Sequence, residues 1–434
     1  MLHTLRLKNV GPAPELKLEL ASRMNLLTGD NGLGKSFLLD VVWWALTRRW
    51  PQEINPKLTS GYTARPSDPK KAATIRFSLQ SKTKPIDYES TYKAREQAWS
   101  GKAGRPWNPG LVIYAHADGG FSVWDPARNY WKTKGNVDVQ DRRPGYVFSP
   151  KEVWDGLQLE EDQRKVYLCN GLIVDWAAWI RENGIDAENF ADVLGLLAPP
   201  GEVLEVGPLT RISLDDNRDI PTLRTAYARE GVPVLYASSG IRRALGLAYM
   251  LLWSWREHVL AAKTLGEQRT QQVVLLYDEI ESHLHPRWQR SILRALLGLM
   301  KVLHRQASVQ LIAATHSPLV MASAEPLFDA KKDAWFDLDL EGAEVKLRNR
   351  TFVRQGEVAS WLTSEAFDLK EARSLEAEEA LTAAKALSKG TPRWSDVQKV
   401  DHQLRDVLPD DDPFWLRWRH YLEQRRPRKS EPRR

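Results

Sequence analysis

Four short stretches of this chain carry residues whose types and spacing could do chemistry. Gly29-Asp30-Asn31-Gly32-Leu33-Gly34-Lys35-Ser36 fits the Gly-x-x-x-x-Gly-Lys-Ser/Thr pattern of a phosphate-cradling loop. Its glycines let backbone N–H groups face an anion with no Cβ in the way. Lys35 can reach the outer phosphates, the Ser36 hydroxyl can sit on Mg²⁺, and the helix that opens there adds its positive end. Asn31 and Phe37 are counted with Gly29, Gly32, Gly34, Lys35 and Ser36 as nucleotide-binding residues. Asp278-Glu279 supplies a carboxylate for the metal and a second one to polarise an attacking water. His316, in Thr315-His316-Ser317-Pro318, can hydrogen-bond a terminal phosphate or the water. Ser238-Ser239-Gly240 is a hydroxyl- and glycine-bearing turn opening a helix, a second anion-binding candidate and equally an ordinary N-cap.

These stretches need strands and helices to hold them, and the hydrophobic pattern supplies both. Met24 to Leu27 reads as a buried strand delivering the phosphate loop, and Leu38, Val42, Ala45 and Leu46 recur at helical spacing until about Arg48, with Pro51 closing that helix. Val273 to Tyr277 and Val309 to Ala314 are apolar runs that end at Asp278 and Thr315, and Leu111 to Ala115 is a third. Leu5 and Leu7, Leu16 to Leu20, and Ile75 to Leu79 alternate as half-buried strands, and Phe121 and Val123 complete a hairpin after Asp118-Gly119-Gly120. Ile241, Ala244, Leu245, Ala248 and Leu252 lie on one face of a helix. Helices are predicted over Trp154–Val166, Leu172–Ile180, Phe190–Leu197 and Glu365–Leu387, a strand over Leu204–Ile212, and a hairpin over Phe336–Leu347. Pro51 to Lys71 reads as a mobile loop.

Several features have bland readings. His283 and His285 alternate as metal ligands could, but with no third ligand they are loop residues. Asp410-Asp411-Asp412-Pro413 is a helix start, with Asp412 as cap, before it is a metal cluster. Lys93, Arg95, Lys102 and Arg105, interleaved with Tyr92, Trp99 and Trp107, could grip a nucleic-acid strand, although a solvated loop with packing aromatics explains them as well. The terminal Arg425, Arg426, Arg428, Lys429, Arg433 and Arg434 outnumber Glu423 and Glu431, as in a soluble tail or a nucleic-acid contact.

Length and composition set outer bounds. The 434 residues hold one large domain or two or three ordinary ones, and 42% hydrophobic with 27% charged residues is a folded soluble composition. Cys169 is the one cysteine, which excludes an internal disulfide framework and suits a reducing cytoplasm. No apolar run approaches the about 18 residues of a membrane helix, and no signal peptide opens the chain. A cytoplasmic location without membrane contact is the expectation. Net charge of +6 permits nucleic-acid binding without demanding it.

Taken in chain order, these motifs resemble the ABC-type ATPase heads, and among them the SMC/RecF/OLD-like class rather than the transporters. Asp278-Glu279-Ile280-Glu281-Ser282-His283-Leu284-His285-Pro286 looks like the DE-x-E-x-HLHP segment of OLD-like and Septu-type prokaryotic defence ATPases of the AAA family. The resemblance covers residues 1–320 well and the remainder loosely. It implies an α/β fold: a P-loop NTPase of ABC-ATPase type with an N-terminal antiparallel β subdomain, a helical lobe and a mostly helical C-terminal extension. The expected division is 1–150 (P-loop and β subdomain), 151–235 (mainly helical insertion lobe), 236–350 (signature turn, Asp278-Glu279 and His316) and 351–434 (helical extension with basic tail).

By position, the resemblance gives ATP and Mg²⁺ as cofactors, with Lys35 and Ser36 on phosphates and metal and Asp278 on the metal. Glu279 would act on the water and His316 on the γ-phosphate. Ser238, Ser239 and Gly240 would meet ATP held by a second copy, implying a homodimer or higher homo-oligomer closing head to head. Two departures stand out: Ile241 occupies a position usually acidic or Gln, and no glutamine marks a Q-loop, for which Asp118 or His116 could stand in. The implied function is an ATP hydrolase whose dimerisation gates DNA or RNA binding or a separately encoded, nuclease-like effector in antiviral defence. The alternatives are a RecF/SMC-like repair ATPase without effector and a transporter's nucleotide-binding subunit. The helical segment from 352 lacks the strand-end carboxylates a Toprim nuclease needs.

Overall fold

The computed structural model describes residues 1–82, 84–101, 107–134, 137–139, 142–303, 307–390 and 393–425. They form two compact units, 1–356 and 357–434. In the first, an eight-stranded sheet runs in the order Tyr146–Phe148, Phe121–Trp124, Leu111–Ala115, Gln272–Tyr277, Ser308–Ala314, Met24–Gly29, Asp333–Glu341, Glu344–Arg350. The five strands from Leu111–Ala115 to Asp333–Glu341 are parallel, and the strands at either edge join antiparallel. Strands such as Val273-Val274-Leu275-Leu276-Tyr277 are buried on both faces, which is why they read as continuous apolar runs.

A second, antiparallel sheet is ordered Glu15–Glu19, Leu2–Lys8, Thr74–Gln80, Pro85–Lys93, Ala98–Trp99. The helix Lys35–Thr47 lies in one hydrophobic core with both sheets: Leu38, Val42 and Trp43 share it with Leu5 and Phe77 on one side and Val274 and Ile312 on the other. A helix apolar nearly all round is stable only when enclosed in this way. The α/β architecture expected from the sequence is therefore present, with an antiparallel β sheet beside the mostly parallel sheet that carries the phosphate loop.

The structure corrects several expectations. The helix Lys35–Thr47 ends at Arg48, which adopts φ 65°, and Pro51 opens a short new helix, Pro51–Ile54, because its fixed φ suits a first helical position. The stretch to Lys71 is pinned rather than loose: Leu58 and Ala64 are buried, and Asn55 donates to Val147 O and to Glu152. The helix expected over Trp154–Val166 stops at Gly156 (φ 95°), and Leu157–Glu161 pairs with Arg164–Cys169 as a hairpin. Its turn residues Asp162 and Gln163 both take positive φ, as a two-residue hairpin loop requires. The expected strand Leu204–Ile212 shrinks to Glu205–Val206, beside an unforeseen hairpin of Thr222–Thr225 with Ala228–Pro233. The 151–235 stretch is thus mixed, with helices Leu172–Glu182 and Ile185–Leu197 among hairpins.

The described residues of the second unit are mainly helical, as expected. Leu375–Lys389, Trp394–Val407 and Phe414–Arg425 bury Leu381, Leu404, Trp415 and Trp418 together. The helix expected from Glu365 begins only at Leu375, because Ser374 caps it through Ala377 N–H. Asp412 accepts from Phe414 N–H and pairs with Arg373, so it starts a helix. Arg426, Arg428, Lys429, Glu431, Arg433 and Arg434 lie outside the described residues, as do Lys102 and Arg105.

Candidate nucleotide site

Three neighbouring parallel strands end on one side of the sheet, and each delivers one of the singled-out motifs. Met24–Gly29 runs into the P-loop, Gln272–Tyr277 into Asp278-Glu279, and Ser308–Ala314 into Thr315-His316. The carboxyl ends of parallel strands are where α/β sheets bind ligands, since helix N-termini and loops converge there. Gly29 (φ 124°) passes so close to the neighbouring strand that a Cβ would stand 2.1 Å from Leu338 O. Gly34 (φ 99°) would press a Cβ to 2.8 Å from the Pro12 ring. Gly29→Ala is expected to cost about 3 kcal/mol of stability, from overpacking against rigid backbone, read as a lower urea midpoint.

Lys35 is 5% exposed and its ammonium donates to Gly29 O and Asp30 O, both at 2.7 Å. Burial draws its pKa down to about 8, against the pull of Asp278, Asp30, Glu281 and Glu279. All four carboxylates are therefore within electrostatic reach of the P-loop lysine. Burial lifts Asp278 to about 6, opposed by a hydrogen bond from Ser36, and Asp278 Oδ1 is buried with no hydrogen-bond partner. An unpaired buried carboxylate oxygen beside a serine hydroxyl fits a hard cation that takes oxygen ligands. His316 is held below its ordinary pKa first by burial and then by Lys35, with Glu279 and Asp30 opposing, so it is neutral at pH 7.

The strand-end loops are joined as one body. Asp278 N–H donates to Ala115 O, Ile280 N–H to Ala314 O and Thr315 N–H to Leu27 O. Glu281, which sequence reasoning quoted only as part of a motif, accepts from the Thr315 hydroxyl and from His316 N–H, each at 2.6 Å. Its charge next to a strand end was visible, but not the pairing across two strands.

Ser238, Ser239 and Gly240 stand apart. Ser238 caps the helix Ser239–Leu265 through Ile241 N–H, and both serines are exposed. No hydrogen bond among the described residues joins this turn to Gly29–Ser36. Gly240 lies against the loop after Glu279, where a Cβ would meet His283 O at 2.6 Å. His116 is fully buried between Ser122 and Ser60, with its pKa pushed down to about 3, and so is turned into the core. Asp118 is exposed and accepts from Thr59. No cluster of three His, Cys, Asp or Glu side chains that could hold a metal occurs among the described residues. His285 caps a short helix through Arg287 N–H, a loop role as expected.

Residues 24–322 match the family model described as "AAA domain, putative AbiEii toxin, Type IV TA system". The chain belongs to this family. The matched part of the AAA domain begins on the strand that feeds the P-loop and ends in the helix after His316. The chain is also similar to the SMC head domain from Thermotoga maritima, at 16% identity over 81% of this chain and 99% of that one, TM-score 0.38. A second similar structure is the Smc head with an extended coiled coil bound to the C-terminal domain of ScpA derived from Pyrococcus furiosus (11%, covering 81% and 96%, TM-score 0.42). A third is the recombination mediator RecF of the RecFOR pathway in its ATPrS form (14%, covering 80% and 98%, TM-score 0.37).

Proposed function

We propose that this AAA domain is a Mg²⁺-dependent ATP hydrolase whose ATP-driven, head-to-head homodimerisation gates a separately encoded effector. The observation that carries the reading is the convergence of Lys35, Ser36, Asp278, Glu279 and His316 at three adjacent strand ends, while Ser238 and Ser239 stay exposed and unattached to that site. Lys35 leaves the Gly29 and Asp30 carbonyls to meet the outer phosphates, and P-loop N–H groups hold them. Ser36 and Asp278 would hold Mg²⁺, which when bound neutralises charge developing on the transferred phosphoryl group. Glu279 orients and polarises the attacking water, and neutral His316 donates toward the γ-phosphate. The exposed serines of a second copy complete the phosphate cage. Phosphate release that needs Mg²⁺ and stops with EDTA supports the reading; equal release in EDTA contradicts it.

An effector rather than a nucleic-acid strand is what we place behind the gate. Trp99 is buried and donates to Ala64 O, and Trp107 packs on Phe77 and donates to Ala45 O. Tyr92 packs on Trp99, and Lys93 pairs with Glu96, so the described part of that loop offers no stacking platform. The toxin–antitoxin setting of the family description supports a role in cellular defence. Whatever affinity for DNA or RNA the chain has is expected to fall steeply between 50 and 200 mM salt, by about tenfold or more, in a filter-binding titration. Salt-insensitive binding, or none, favours a protein partner; binding still tighter than about 10⁻⁶ M at 200 mM salt would contradict the effector reading and favour a repair ATPase. No helix among the described residues is long and apolar enough to cross a membrane.

A further inference from the structure

The loop after Asp278-Glu279 and the turn that carries His316, already joined by Ile280 N–H on Ala314 O, share one carboxylate as well. Glu281 takes the Thr315 hydroxyl on Oε2 and His316 N–H on Oε1, both at 2.6 Å, so its two oxygens hold two consecutive residues of the neighbouring strand end. Thr315 is fully buried, and its Oγ1 also accepts from Ser317 N–H at 3.0 Å. Gln289 closes the same junction from the other side, accepting from the Ser317 hydroxyl and donating to Leu284 O. Each oxygen of Glu281 is therefore aimed at a fixed partner on the neighbouring strand end, which makes the side chain a strut between the two turns. A charge-assisted bond to a backbone N–H fixes direction more firmly than packing does.

We propose that Glu281 is a positioning residue for hydrolysis: it locks the His316 turn to the Glu279 strand end, so that the imidazole and the water-polarising carboxylate keep one register about the γ-phosphate. The proposal rests on the hydrolysis reading above. Small misplacements of a catalytic group cost rate far more than binding, because alignment matters chiefly in the transition state. Gln at this position keeps an acceptor for His316 N–H and an amide for the Thr315 hydroxyl, whereas Leu fills part of the same space and offers neither.

The test is steady-state hydrolysis and ATP affinity of the full chain with Glu281→Gln, Glu281→Leu and Thr315→Val. Glu281→Gln is expected to retain kcat within about threefold. Glu281→Leu should lose about 10²-fold in kcat with KM for ATP moved less than about threefold. Thr315→Val, which preserves shape, should lose about tenfold in kcat and covers the case in which the Leu variant fails to fold. Loss in Glu281→Gln as deep as in Glu279→Gln would make Glu281 a base and overturn the proposal. So would wild-type kcat in Glu281→Leu and Thr315→Val, or a change confined to KM. Absence of ATP turnover in the wild-type protein would instead count against the hydrolysis reading itself.

Discussion

Glu279→Gln is expected to bind ATP within about threefold of the wild type and to hydrolyse it about 10³-fold more slowly. The amide keeps the size of the side chain but cannot accept the proton of an attacking water. Nothing that holds the nucleotide is touched: Lys35 keeps its place beside Gly29 and Asp30, and Ser36 stays bonded to Asp278. Glu279 sits at φ 47°, a left-handed conformation that costs a non-glycine residue on the order of 1 kcal/mol or more. Such a cost persists where the surrounding structure holds the backbone, and here Asp278 N–H and Ile280 N–H are bonded to Ala115 O and Ala314 O on either side of Glu279. Calorimetric ATP titration and single-turnover phosphate release separate binding from chemistry. Turnover at the wild-type rate would remove Glu279 from the role given to it.

Lys35→Ala should weaken ATP binding by about 10³-fold, the worth of two charge-assisted contacts in a mostly buried site. The ammonium is already dehydrated and already held by two carbonyls, so exchanging them for phosphate oxygens costs little reorganisation. The sign of the pH dependence follows from its lowered pKa. Below about 8 the free protein carries the charge that ATP needs; above it, binding must first recover a proton. Wild-type affinity should therefore be flat from pH 6.5 to 7.5 and fall by up to about tenfold per unit above pH 8. The Lys35→Ala chain should lack that fall. An identical slope in both would assign the titration elsewhere.

Much of this site was legible because parallel strands and P-loops leave strong traces. Met24–Gly29, Gln272–Tyr277 and Ser308–Ala314 are largely buried and mostly apolar, and each ends in a polar, chemistry-bearing turn. What escaped was set by long-range pairing or by turn chemistry. The Leu157–Glu161 and Arg164–Cys169 hairpin looked helical because Leu157, Leu159 and Val166 fall at spacings that suit either period, and the positive φ values of Asp162 and Gln163 decide the matter. The short strands at Thr222 and Ala228 carry too few apolar residues to announce themselves. Trp99 and Trp107 could have been stacking residues by composition, and only the carbonyls that receive their N–H groups show that they are core. Glu281 was one acidic residue among several until the Thr315 hydroxyl and His316 N–H were seen to converge on it.

A site shared between two copies, as proposed, is tested most directly by the mass of the hydrolysis-deficient protein. Light scattering of Glu279→Gln with and without ATP and Mg²⁺ should show the mass per particle doubling on nucleotide addition, from 49.6 kDa to about 99 kDa if the free chain is a monomer. Adding Ser238→Arg, which costs about 1 kcal/mol of helix cap and crowds the exposed turn, should abolish the doubling while ATP still binds. A Glu279→Gln chain that binds ATP with no change in mass, or one that doubles equally well with Ser238→Arg, would contradict the shared site.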